Sequence, residues 1–323
     1  MRKGSVPVVS TVLALASLFV TSMLLQAQQN ALSPGEVTEA PSTSVASIAS
    51  IPPPQLPPAN TTVVSTATPA KSETTRLQTE FAVEALTRIL ADYRKSGNHS
   101  AEAHTLSALA DSYSTLHQQQ KAVELYQSAL AIWRDLGDKQ NQATMLAHIG
   151  DVYREWGFRD QAIHSYRDAL KLYQGNYNKA EEAAVFNNLG LTYFVLGDKK
   201  KCLAYLGQAV ASYHAQRDRR GEALTITNLG STYAFLINDP HKALDFFQDA
   251  VTRLELLNDR ASEANALDLM GELWLKLGKP ELASLTFQHS LALYGALGDT
   301  QGQASVRRHM RNMVQPETIA STR

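Results

Sequence analysis

The chain has 323 residues, with 30 Lys plus Arg against 31 Asp plus Glu, nine His and one Cys. A net charge of −1 gives no electrostatic reason to bind nucleic acid, and a single cysteine excludes an intramolecular disulfide framework or a multi-cysteine zinc site. The 44% of hydrophobic residues suffices for a core, but the chain is lopsided: nine of its twelve prolines precede residue 75, and Glu36 and Glu39 are the only charged residues between Gly4 and Ala70.

Arg2 and Lys3 precede an uncharged, mostly apolar run from Val8 to Leu25, and Gln26-Ala27-Gln28 follows it. This is the pattern of a secretory signal peptide over residues 1–27, with Ala27 before the cut. The rival is an uncleaved membrane anchor, since about 17–25 apolar residues span a bilayer. Ser10, Thr11, Ser17, Thr21 and Ser22 dilute the run and favour cleavage. On either reading the remainder is expected to be exported, periplasmic or secreted, and to touch a membrane only through this N-terminus if it stays uncleaved.

Residues 28–74 are rich in Ser, Thr, Ala, Pro and Val around Ile51-Pro52-Pro53-Pro54-Gln55-Leu56-Pro57-Pro58. With few aromatics and no sustained period, such a segment buries too little to offset chain entropy, and a disordered tether is expected. Its prolines favour polyproline II, with a reach on the order of 150 Å.

From residue 75 a five-residue pattern recurs: Leu109-Ala-Asp-Ser-Tyr113, Ile149-Gly-Asp-Val-Tyr153, Leu189-Gly-Leu-Thr-Tyr193, Leu229-Gly-Ser-Thr-Tyr233 and Met270-Gly-Glu-Leu-Trp274. The period is 40, 40, 40 and then 41 residues, and three further columns keep step. A small column holds Ala122, Ala162, Cys202, Ala243 and Ala283. A large one holds Tyr126, Tyr166, Leu206, Phe247 and Phe287. A second small one holds Ala129, Ala169, Ala209, Ala250 and Ser290. Spacings of three and four make each unit a pair of amphipathic helices, whose small residues permit close approach. Gly157, Gly197 and Gly278 sit where first helices must end. Asp239-Pro240 and Lys279-Pro280 suit an N-cap and first helical residue. Ser96-Gly97-Asn98, Leu136-Gly137-Asp138 and Leu297-Gly298-Asp299 separate units. The turn around Ile237-Asn238-Asp239 is read as one residue longer than the others.

The expected fold is all-α, about twelve helices: a lone second-type helix (Leu77 to Lys95), five pairs from about residue 98, and a lone first-type helix (Gln301 to Met313). The N-terminal half-repeat covers 75–97, the repeat domain 75–314 with its capping helix at 300–314, and a tail 315–323. Half-repeats cover the ends of such stacks.

These residues resemble the tetratricopeptide repeat, in the 40-residue variety of kinesin light chains and many bacterial proteins, over about residues 75–314. Ala110 in place of the first Gly, and Cys202 in place of an Ala, are local departures. The resemblance implies a right-handed superhelix, a solenoid whose first helices line a concave groove for an extended peptide or partner helix.

Little points to catalysis. No two His stand three or four apart, there is no His-Glu-x-x-His, and no phosphate-cradling Gly-rich loop or Gly-x-Ser-x-Gly elbow is present. No cofactor and no metal are expected. Cys202 shares a column with alanines, which reads as core. Trp133, Tyr173, Tyr213, Leu254 and Tyr294 read as packing between repeats. Lys199-Lys200-Lys201, Arg217-Asp218-Arg219-Arg220 and Arg307-Arg308 with Arg311 read as solvated surface near helix ends.

If the first helices line the groove, the candidate partner-binding residues are Ser107, Asp111, Asp151, Arg154, Asn187, Leu191, Phe194, Thr227, Ser231, Asp268 and Glu272. Asn188 and Asn228, with His148, stand immediately before the repeating Leu. An Asn side chain both donates and accepts, so such a ladder suits the main chain of an extended peptide; bonding to a neighbouring helix's backbone is the alternative. Family members that clamp a C-terminal carboxylate carry Lys two positions before the Leu. Here that column is Ser107, Ala147, Asn187, Thr227 and Asp268, so no such clamp is expected. The acidic ends and apolar middle of the groove suit a protein or peptide with apolar anchors and basic flanks. Self-association through the ends of the stack stays open. The expected function is an exported, non-enzymatic scaffold. Its alternative is an accessory or truncated part of an enzyme system such as a caspase-like protease, whose catalytic domain is not expected after Val314.

Overall fold

A computed structural model describes residues 69–173 and 179–314. The signal segment, nearly all of the proline-rich linker and the tail lie outside the described residues. Among the described residues twelve α-helices follow one another: α1 (Pro69–Ser96), α2 (His99–Thr115), α3 (Gln119–Asp135), α4 (Lys139–Trp156), α5 (Arg159–Tyr173), α6 (Lys179–Val195), α7 (Lys199–Gln216), α8 (Arg219–Ser231), α9 (Pro240–Leu256), α10 (Arg260–Lys276), α11 (Pro280–Ala296) and α12 (Thr300–Val314). Each packs mainly on its neighbours in sequence, and first helices of successive repeats touch, α4 with α6 through to α10 with α12. The all-α repeat solenoid read from the sequence is the observed architecture. One boundary moves: α1 begins at Pro69, so the linker ends before residue 75. Among the described residues, no helix is long and apolar enough to cross a membrane.

The turns explain the regularity. Asn98, Asp138, Asp198, Asp218, Asp239 and Asp259 each accept the backbone N–H three residues on, satisfying a donor the helix cannot. Each described turn ends its helix with one residue at positive φ. Gly157 is at 90°, but Arg217 holds the same conformation at 60° and His117 at 57°. A side chain disfavours that region by about 1–2 kcal/mol. Arg217→Gly is therefore expected to raise unfolding free energy by about 0.5–1 kcal/mol once glycine's greater unfolded-state entropy is subtracted. Chemical denaturation of the two proteins side by side measures it.

The core is the three columns. Every member of the two small columns is fully buried, and no member of the large column is more than 2% exposed. The glycine of the repeating pattern meets the large column of its own repeat. A Cβ on Gly150 would lie 2.6 Å from the Tyr166 ring, on Gly190 2.7 Å from Leu206, on Gly230 2.7 Å from Phe247 and on Gly271 2.5 Å from Phe287. Glycine thus sets the distance between paired helices, while the Ala and Cys column fills the space beside it. The seam column packs between repeats: Trp133, Tyr173, Leu254 and Tyr294 are buried, and Tyr213 lies 2.5 Å from where Gly221 would carry a Cβ. The Cys202 thiol is buried against Thr232, and burial pushes its pKa up, as a packing residue requires.

The extra residue of the fourth repeat lies within a helix. The end of α8 widens into a π-helical turn, Thr232–Ile237, and the N–H of Asp239 reaches back to the carbonyl of Tyr233 at 2.8 Å. In the other repeats the same bond spans one residue fewer, as from Asp198 to Tyr193. The turn at Asn238-Asp239 therefore has ordinary geometry, contrary to the longer turn read from the sequence. Widening one helical turn keeps both flanking columns in phase.

Candidate functional site

The first helices α2, α4, α6, α8, α10 and α12 bring the polar residues just before and two after the repeating Leu together across repeat boundaries. On α4, half-buried Asp151 accepts the Tyr166 hydroxyl at 2.6 Å and the Asn188 amide of α6 at 2.7 Å. Asn187 donates to Asn188 at 3.4 Å and accepts from Asn228 of α8 at 2.9 Å. Asp151, Asn188, Asn187 and Asn228 thus form one chain across three repeats. The acceptors of the two predicted Asn residues are neighbouring side chains, not the helix backbone. One amide N–H on each of Asn187, Asn188 and Asn228 and spare acceptor sites remain, since each Asn carries two donors and a carboxylate about four acceptor positions.

At the N-terminal end, exposed Asp111 accepts the Tyr126 hydroxyl, and His148 stacks on Tyr126 with centroids 5.3 Å apart. Asp111, Ser114, Thr115, His117, His148, Asp151 and Glu155 line an open cleft of about 480 Å³. Arg154 turns back to the Tyr166 hydroxyl at 3.3 Å and to Glu155 at 3.7 Å. Burial above all, then the adjoining carboxylate, holds the Tyr126 and Tyr166 phenols far above their ordinary pKa, so both stay protonated donors.

At the other end, buried Asp268 and half-buried Glu272 are both taken by His309 of α12, whose Nδ1 and Nε2 each lie 2.9 Å from a carboxylate oxygen. Thr227 is buried with its hydroxyl on the Ala223 carbonyl, and Ser231 bonds the Thr227 carbonyl. Ser107, Leu191 and Phe194 are half-buried on the same helices. The candidate residues therefore divide. Asp111, Asp151, Asn187, Asn188 and Asn228 share one face with binding capacity left, whereas Thr227, Asp268 and Glu272 are committed to the fold. The sequence reading passed over the tyrosine hydroxyls and His309. The second had a signal: His309 stands one period after Leu269, in the column of His148, Asn188 and Asn228. Among the described residues no group of His, Cys, Asp and Glu is arranged to hold a metal.

Residues 76–135, 120–175 and 181–256, together more than half of the chain, match the tetratricopeptide repeat family. The chain belongs to that family. Tetratricopeptide repeats form protein-interaction scaffolds, and several solved structures share this fold. BtubC from P. vanneervenii is 20% identical with a TM-score of 0.59, covering 71% of this chain and 92% of that one. The Rap conjugation gene regulator of plasmid pLS20, in complex with the Phr* peptide, is 15% identical with a TM-score of 0.58, covering 71% of this chain and 63% of that one. NprR in complex with its cognate peptide NprX is 14% identical with a TM-score of 0.51, covering 76% of this chain and 70% of that one. At these identities the likeness is one of fold. No curated protein matches the chain.

Proposed function

We propose that this tetratricopeptide-repeat protein is an exported, non-enzymatic scaffold that binds an extended protein segment along the face shared by its first helices. The observation that carries the reading is the polar ladder from Asp151 to Asn228, which crosses three successive first helices, with Asp111 on a fourth, and retains unused donors and acceptors. Such a row suits the main chain of a peptide laid across the helices. Leu191 and Phe194 supply apolar contact in its middle, and Asp111, Asp151 and Glu155 favour a basic residue at the N-terminal end. That the Rap regulator and NprR were solved with peptides supports a peptide-sized ligand. Export rests on the Arg2-Lys3 charge and the apolar run from Val8 to Leu25.

The test starts from peptides selected on the full-length chain from a displayed library. Selected sequences are expected to combine apolar anchors with Lys or Arg. The Asn188→Ala, Asn228→Ala double variant is expected to bind them about tenfold or more weakly, with its thermal midpoint within about 4 °C of the parent. Equal affinity for the two proteins would remove the ladder as the site.

A further inference from the structure

The other side of the molecule, formed by the second helices, holds a pocket that the peptide face does not use. It lies between α5, α6 and α7, has a volume of about 510 Å³, and is lined by Arg167, Leu170, Glu182, Phe186, Lys201, Ala204, Tyr205 and Gln208. Two departures from the repeat pattern make it. The column of Arg167 is otherwise Gln127, Gly207, Gln248 and Gln288, and the column of Ala204 is otherwise Glu124, His164, Asp245 and Leu285. At this seam alone a cation replaces a neutral residue while the neighbouring side chain shrinks to a methyl.

The floor is aromatic. Tyr205 stacks on Tyr193 with centroids 5.6 Å apart and lies beside Phe186 at 6.3 Å. Arg167 donates to the Tyr193 hydroxyl at 2.9 Å and has no carboxylate partner among the described residues, so most of its five N–H donors are unspent. Lys201 sits over the Tyr193 ring at 4.9 Å. Asp198 pairs with Lys201 at 2.9 Å and raises its pKa, while the nearby Arg167 works against it. Glu182 is taken by Lys179 at 3.0 Å. Lys199 and Lys200 are exposed beside the pocket in the first turn of α7, where the helix dipole opposes cations, and make no ion pair among the described residues. Asp198 offsets Lys201 and Lys179 offsets Glu182, so among the described residues Arg167 is the cation of this lining left without a carboxylate, beside an aromatic floor.

We propose that this pocket binds an acidic segment of a partner protein, with a carboxylate on the Arg167 fork and an adjacent apolar side chain on Phe186 and Tyr205. A planar guanidinium with free paired donors fits a carboxylate, and the apolar floor distinguishes such a segment from a bare anion. The site is separate from the ladder, so the two proposals fail independently.

The test is fluorescence anisotropy of a labelled, end-blocked peptide of alternating glutamate and leucine, with its glutamine–leucine counterpart as control, against the full-length chain at about 50 mM salt. The expected result is binding of the glutamate peptide only. Arg167→Gln, which installs the residue other repeats use there, should weaken it about tenfold. Ala204→Glu, which fills the pocket with a like charge, should abolish it. The Asn188→Ala, Asn228→Ala variant should bind it as the parent does. Circular dichroism checks that each variant is folded. The proposal is overturned if the parent does not bind, if Arg167→Gln binds equally, or if inorganic phosphate displaces the peptide as effectively as unlabelled peptide does, which would mark a simple anion site.

Discussion

Replacing Gly150 by valine is expected to cost about 3 kcal/mol of unfolding free energy. The first atom of any side chain there would stand 2.6 Å from two ring carbons of Tyr166, well inside contact distance. The ring has no room to retreat, being fully buried. Its hydroxyl is held by Asp151 at 2.6 Å and by Arg154 at 3.3 Å. Helix α5 must therefore lift from α4, and the loss spreads to contacts that glycine allowed. Intrinsic propensity acts the other way, since glycine in a helix interior costs about 1 kcal/mol relative to alanine, but the steric term outweighs it. Two comparisons sharpen the test. Gly150→Ala brings only that first atom, and the first repeat accommodates Ala110 under Tyr126, so it should lose less than valine, about 1–2 kcal/mol. Gly207→Val on α7, with nothing within 4 Å, should change stability by less than about 0.5 kcal/mol. Urea unfolding of the three variants decides: a Gly150→Val protein within about 1 kcal/mol of the parent would show that these glycines do not set the helix spacing.

The repeat made much of this fold legible. Five copies of one pattern fix which residues share a column, and a column that is always small or always large fixes what faces what. Helix number, the pairs and the buried columns follow from that. Insertions are different. The 41-residue spacing shows one extra residue between Tyr233 and Ala243, but not whether the turn or the helix absorbs it. The helix does, because widening one turn preserves the Asn238-Asp239 cap. The start of α1 was also hidden, since Pro69 sits in a composition that otherwise reads as linker.

The site was legible by column but not by partner. Placing Asn188 and Asn228 on a common face needs only the period. Finding that Asn188 meets Asp151, or that Asn228 reaches Asn187 and not Asn188, requires the stagger between successive first helices. The period does not encode that stagger. The tyrosine hydroxyls illustrate the same limit: Tyr126 and Tyr166 read as core, and their rings are core, yet their oxygens emerge beside the groove carboxylates. The pocket at Arg167 was overlooked for another reason. It is defined by two residues that break the pattern, and a reading built on recurrence attends to what recurs.

Replacing His309 by alanine is expected to cost about 2 kcal/mol, although His309 is not an apolar core residue. Asp268 is 8% exposed, and its ion-pair partner among the described residues is the His309 Nδ1 at 2.9 Å. Removing the imidazole leaves a buried carboxylate without its hydrogen-bond partner, which is more damaging than the loss of a surface ion pair worth about 0–1 kcal/mol. The second bond, from Nε2 to Glu272 at 2.9 Å, means that His309 ties α12 to α10 at two points one helical turn apart. Beside it, Val306 is fully buried, and Met310 and Met313 pack on the same cluster as Phe287 and Tyr294. Loss of His309 should therefore act locally first. In a stack where each repeat contacts only its neighbours, the terminal helix opens before the rest. Hydrogen exchange followed by mass spectrometry is expected to show faster exchange over 300–314 and the end of α10, with 99–156 unchanged. The double variant Asp268→Ala, His309→Ala should recover most of the lost stability, because the uncompensated charge is then gone. If the single variant exchanges over 300–314 at the parental rate, the carboxylate–imidazole clamp contributes nothing to holding α12. Asp268 and Glu272 would then return to the groove as groups free to meet a partner.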